Sequence, residues 1–211
     1  MRTNRTLGAL GALALGLGLT LTLSACGSDD NANDTSTSQV STTKHNDADV
    51  DFASDMLQHH AQALSMVDLT LDRPLDPQVH QLAEQIREAQ APEIQTFAEW
   101  LTDWDEDVPE TVRDHANAGH DMGDTGDMGE STGSEMPGMM SADDMSSLEE
   151  ATDSEFQTMW LEMMIEHHEG AVEMAKAEQQ DGQYKPAVDL AADIEKSQTR
   201  EMTLMRSLLD S

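Results

Sequence analysis

The feature that most constrains this chain is that it contains itself twice. Residues 56–101 align with residues 164–209 at a fixed offset of 108 with no gap. Met56, His59, His60, Ala63 and Met66 fall on Met164, His167, His168, Ala171 and Met174. Leu82, Ala83, Ile86, Gln90, Glu93 and Leu101 fall on Leu190, Ala191, Ile194, Gln198, Glu201 and Leu209. Eleven of forty-six positions are identical, where unrelated segments would share about three. The fold is therefore expected as two similar halves. Because the repeat shows which residues were kept twice, it also nominates the two His-His pairs and the two Gln-x-x-Glu pairs for a shared role.

Each copy reads as two helices. In the first, Phe52, Met56, Ala63 and Val67 recur at the helical period from about Ala48 to Leu71, and Asp72-Arg73-Pro74 breaks the run. Asp76 as N-cap and Pro77 at the first helical position then open a second helix, which runs to about Trp104 with Pro92 inside it. In the second copy, Thr152-Asp153-Ser154-Glu155 has the spacing of a capping box, the turn falls at Asp181-Gly182-Gln183, and a last helix spans Pro186 to Leu209. Aromatic residues number only seven, while Met is used fifteen times. Such a chain lacks the β-branched and aromatic alternation of a sandwich, so an all-β fold is excluded. The expectation is an all-α, ferritin-like four-helix bundle: a first hairpin over 47–104, a long crossover over 105–140, and a second hairpin over 141–211.

On a helical wheel with Met56 at zero, Ala63 lies near −20°, His59 near −60° and His60 near +40°, so the histidines flank the apolar stripe, about 100° per residue. On the second helix Glu93 falls mid-way in the face expected to be buried, and Gln90 beside it. The same holds for Met164, His167, His168, Gln198 and Glu201. A buried carboxylate needs a counter-group. Two arrangements supply one. In the first, His and Glu satisfy each other in a structural network that sets helix register. In the second, Met56, His59, His60, Glu93 and their copies Met164, His167, His168 and Glu201 hold a metal ion. His80 is unrepeated and is expected in solvent.

The N-terminal residues 1–25 have a basic start, Arg2 and Arg5, and an apolar run from Leu7 to Leu23. That pattern is a secretory leader. It ends in Leu23-Ser24-Ala25-Cys26, which resembles the lipobox of bacterial lipoproteins, and Cys26 is the sole cysteine. The resemblance implies lipid attachment at Cys26 and a membrane-anchored, extracytoplasmic protein. Residues 26–46 are rich in Ser, Thr, Asn and Asp and read as a solvated tether. With 42 acidic and 11 basic residues the formal charge is −31, which repels phosphate backbones and excludes a nucleic-acid partner. One cysteine also excludes a disulfide framework.

The crossover carries His115, His120, Met122, Met128, Met136, Met139 and Met140 among Gly and Asp. Methionine in a polar loop has no core to fill, so these residues are candidate auxiliary ligands, although Met139 and Met140 lie close enough to Ser141 to pack on the bundle. Thioether and imidazole together suit copper.

MLQHHAQALSM and MIEHHEGAVEMA, each followed by a helix with Ile-x3-Gln-x2-Glu, together with the MPGMM segment before the second His-His pair, resemble domain-of-unknown-function family 305. The resemblance covers about residues 47–211. It implies a ferritin-like bundle and, for some members, extracytoplasmic copper binding; carried over, it points to Met56, His59, His60, Met164, His167 and His168 as candidate ligands. Gln157 stands where the family commonly has Asp. The leading expectation is thus a lipid-anchored copper-binding protein acting in sequestration or tolerance, with a copper ion and the membrane as partners. The alternatives are an inert structural or partner-binding bundle and, less well matched, a di-iron oxidase. The last wants Glu-x-x-His on two helices, and neither Gln90/Glu93 nor Glu166 supplies that spacing.

Overall fold

The structure, a computed structural model, describes residues 40–117 and 136–211, without the side chains of 115–117. Four long helices form the bundle: α1 (Asp47–Asp68), α2 (Pro77–Asp103), α5 (Asp153–Asp181) and α6 (Lys185–Leu209). Two short ones, α3 (Val112–Asn117) and α4 (Ala142–Glu150), lie in the connection between the halves. Among the described residues there is no strand, only an isolated bridge between Ser41 and Tyr184. The bundle is the two-hairpin, all-α architecture that the repeat implies. None of the described helices is long and apolar enough to cross a membrane.

Local chemistry sets the helix ends. Asn46 and Asp49 form a capping box at α1, and Ser141 and Asp144 form another at α4. Asp76 caps α2 by accepting from the Gln78 N–H, with Pro77 behind it. Thr152 departs from expectation. Its hydroxyl donates to the Glu155 carboxylate at 2.6 Å, so no side chain caps the first N–H groups of α5. The helix α2 continues through Pro92 to Asp103.

Two apolar clusters fill the interior, one at each end. At one end Met66, Val67, Leu82, Ile86, Phe156, Trp160 and Met205 pack together, and the Trp160 indole donates to the Met66 carbonyl at 2.9 Å. At the other, Phe52, Leu57, Phe97, Leu101, Ala175 and Ile194 pack. Between them lies the polar layer that carries the histidines.

Residues 40–46, read from sequence as the end of the tether, are tied to the bundle. Ser41 exchanges main-chain hydrogen bonds with Gln183 and Lys185, His45 stacks on Trp104 with ring centres 4.5 Å apart, and the Asn46 amide donates to the Asp181 carbonyl. The buried Asp49 carboxylate accepts the N–H groups of Asn46, Gln183 and Tyr184. The crossover is anchored as well. Arg113 on α3 pairs with Asp68 of α1, and residues 136–140 pack into the bundle.

Candidate metal centre

α1 and α5 bring the two His-His pairs face to face. All four imidazoles, His59, His60, His167 and His168, are fully buried, as are Met56 and Met164 one turn earlier. The sequence places them there because Met56, Ala63 and Val67 must face the core, which forces the residues three and four after Met56 onto the same side. The rings of His59 and His167 meet at 3.7 Å between centres, tilted by 40°.

Each ring but one is held from outside. His59 Nε2 donates to the Pro137 carbonyl at 3.1 Å, His60 Nε2 to the Glu93 carboxylate at 2.8 Å, and His168 Nε2 to the Glu201 carboxylate at 2.7 Å. A carbonyl or an ionised carboxylate only accepts, so in all three rings Nε2 carries the hydrogen. In a ring protonated only there, Nδ1 keeps its lone pair, and Nδ1 of all three is buried without a partner. His167 has neither nitrogen satisfied. The buried amides of Gln90 and Gln198 add further unpaired atoms to this layer. Burial pulls the His59 pKa down to about 3; the charges of His60 and His168 push the same way, and the bond to Pro137 only partly opposes it. Burial also holds His167 well below the ordinary imidazole range, with His59, His168 and His60 adding to the effect and a loose approach to the His59 main chain opposing it. These two rings are neutral at any ordinary pH.

Glu93 and Glu201 do not occupy the middle of the interior, as the wheel suggested. Their side chains are 20% and 18% exposed and sit at the rim, each bonded to the outer face of a histidine. The helix wheel gave their side of the helix but not the depth, because a long side chain there can reach outward.

The strap at residues 136–140 crosses this layer. Gln62 clamps it by donating to the Met140 carbonyl and accepting the Met140 N–H, both at 2.8 Å. Gly170, the repeat partner of Gln62, has no side chain because a Cβ there would fall 1.8 Å from the Pro137 carbonyl oxygen. Gly138 turns the strap at a φ of +74°, a left-handed conformation that glycine adopts without strain. Met140 is buried, and Met136 and Met139 are half-buried. Thus Met136, Met139 and Met140 reach the bundle. Cys26, His120, Met122 and Met128 lie outside the described residues, as does the side chain of His115. His80 is not a plain solvated residue: it is half-buried and donates to the Arg73 carbonyl. Among the described residues no three His, Cys, Asp or Glu side chains are grouped so that they could hold a metal ion.

Residues 49–209 match the family model described as "Domain of unknown function (DUF305)". The chain belongs to this family. Several solved structures superpose on it, two of them described as DUF305 proteins. A protein described as secreted, from Streptomyces coelicolor, is 29% identical over 77% of this chain and 91% of its own, with a TM-score of 0.63. A fragment from Deinococcus radiodurans is 26% identical over 78% and 97%, with a TM-score of 0.63. CopM in its Cu(II)-bound form is 25% identical over 77% and 95%, with a TM-score of 0.59. No functionally curated protein matches the chain.

Proposed function

We propose that this DUF305 protein binds copper in the layer between its two His-His pairs, and that it does so as a lipid-anchored, extracytoplasmic sequestration or tolerance protein. The observation that carries the reading is the set of buried, unpartnered imidazole nitrogens on the two His-His pairs. A buried polar atom without a partner costs about 1–3 kcal/mol, and here several stand together at positions kept in both repeats. A metal ion satisfies lone pairs that no protein donor meets. The outer bonds support this, because metal-binding histidines are oriented by a carbonyl or carboxylate on the far nitrogen. In this reading Glu93 and Glu201 orient His60 and His168 rather than ligate. The Met56 and Met164 thioethers complete a soft site suited to Cu(I), while imidazole alone suits Cu(II). CopM, a structural relative, has been solved with Cu(II) bound. The crossover residues His115, His120, Met122, Met128, Met136 and Met139 would serve in capture. The leader and Cys26 would place the protein on the outer side of a membrane.

A structural network is favoured by one specific observation, the two His–Glu bonds that tie α1 to α2 and α5 to α6. Copper titration of the full chain, wild type against His59→Gln/His167→Gln, separates the two. We expect copper affinity to fall at least tenfold. Unchanged affinity in a destabilised double variant would overturn the metal reading and leave the network.

A further inference from the structure

The strap at residues 136–140 shows one carbonyl to one histidine. Met136-Pro137-Gly138-Met139 is a β-turn, closed by the Met139 N–H donating to the Met136 carbonyl at 3.2 Å. Proline second and a glycine of positive φ third is the type II pattern. The closing bond does not use the carbonyl of the central peptide, Pro137, and it is this oxygen that accepts from His59 Nε2 at 3.1 Å. One residue past the turn, the Met140 N–H and carbonyl both bond the Gln62 amide. His59 and Gln62 are three residues apart on α1, as Pro137 and Met140 are on the strap. The two contacts therefore lie about 4.5 Å apart along the helix axis. The turn is also pressed against the main chain of α5, where a Cβ added at Gly138 would fall 2.5 Å from the Glu166 carbonyl oxygen. The strap is wedged between α5 and the Gln62 clamp.

The other repeat lacks this arrangement. Gly170 takes the place of Gln62, and His167 takes the place of His59. His167 has no hydrogen-bond partner on either ring nitrogen among the described residues. Both rings are fully buried, so burial does not account for the difference. Gln62 itself is 4% exposed, and its amide is satisfied by the strap on both sides. A buried amide is costly unless paired, so a polar side chain here is matched to the main chain of Met140 rather than to the core.

We propose that Gln62 is a positioning residue for metal binding at His59, acting through the strap. By clamping Met140 it holds the Pro137 carbonyl where that oxygen fixes the His59 hydrogen on Nε2 and leaves Nδ1 free to ligate. This role rests on the copper reading above and deepens it, since it makes the two His-His pairs unequal. A neutral imidazole carries its one hydrogen on either nitrogen, and the bond made by one nitrogen decides which. His59 is preset as an Nδ1 ligand, whereas the tautomer of His167 is chosen when the ion arrives. Holding a ligand in its bound form beforehand removes the cost of ordering it on binding.

The test reads His59 with and without metal. Ring nitrogen shifts of the histidines and solvent exchange of Nε2–H are measured on the metal-free full chain at pH 7.5, and Cu(I) affinity on the same samples. Two variants disturb the strap from opposite sides: Gln62→Leu removes the clamp, and Gly170→Ala displaces the Pro137 carbonyl. In both we expect His59 to lose its single Nε2–H form, with exchange about tenfold faster or more. The Nε2–H of His168, held by Glu201, should be unchanged. Cu(I) affinity should fall about tenfold, the low end of what losing an orienting partner costs. As a control, Leu101→Ala, in the apolar cluster at the opposite end from Met140, should lower the melting temperature and leave His59 as in wild type. Should Gln62→Leu fail to fold, Gly170→Ala carries the same expectation. The proposal is overturned if His59 keeps its Nε2–H form in both strap variants, or if Leu101→Ala disturbs it as much. It is equally overturned if Cu(I) affinity is unchanged where that form is lost. A wild type that binds no Cu(I), while His59 still answers to both strap variants, would refute the copper reading and support the link from Gln62 to His59.

Discussion

Acid should unfold this protein partly through its buried histidines, and His59 lets the effect be sized. In the unfolded chain His59 titrates near 6.5, whereas in the bundle its pKa is held down to about 3. Above pH 6.5 both states are neutral and the group contributes nothing. As pH falls from 6.5 toward 3, the unfolded state takes up a proton that the folded state refuses, so stability is lost throughout that window. Each pH unit is worth about 1.36 kcal/mol, so between pH 7.5 and pH 5.0 the loss through His59 is about 2 kcal/mol. Other groups titrate too, so the comparison must be between proteins. His59→Gln keeps an amide that can donate to the Pro137 carbonyl but cannot titrate. Urea denaturation followed by helix ellipticity at the two pH values should show wild type losing about 2 kcal/mol more than the variant. His167→Gln should flatten the profile further, because its shift has the same direction. Equal pH dependence in wild type and the His59→Gln variant would refute the claim that this imidazole is buried and neutral. It follows that copper affinity at the core should persist well below pH 6.5, where an exposed histidine site would already have lost its ligands.

Gly170→Ala should cost about 1–3 kcal/mol, because its Cβ collides with the Pro137 carbonyl and the strap must move; a melting temperature equal to wild type would show that the strap does not pack as described. Cys26→Ser should shift the protein out of the detergent phase on phase partitioning, and unchanged partitioning would dispose of the lipid anchor.

Helix positions were legible in the sequence because they rest on local signals: the period of Phe52, Met56 and Ala63, the Asp76-Pro77 start, the break at Asp72-Arg73-Pro74. The burial of His59, His60, His167 and His168 was legible for the same reason, reinforced by the repeat. What local pattern could not carry were contacts between distant segments. Gln62 binds Met140, 78 residues away, and Asp49 binds the main chain of Gln183, 134 residues away. Nothing in either neighbourhood announces the partner. A signal for the strap did exist, though: at offset 108 the buried Gln62 faces Gly170, a loss of a whole side chain in the middle of an otherwise matched helix. Such a break in the repeat marks the place where something else occupies the space. Glu93 and Glu201 were placed on the correct face but too deep, because the wheel has no radial coordinate.

The most direct test of the account is long-range proton–nitrogen correlation on the histidine rings during Cu(I) titration of the full chain. In the metal-free protein His59 should show a protonated Nε2 and an unprotonated Nδ1. On titration, the Nδ1 signals of residues within the set His59, His60, His167 and His168 should move to metal-bound positions while Nε2–H of the bound rings persists. Shifts confined to His45, His80, His115 and His120, with the four buried rings unchanged, would contradict it.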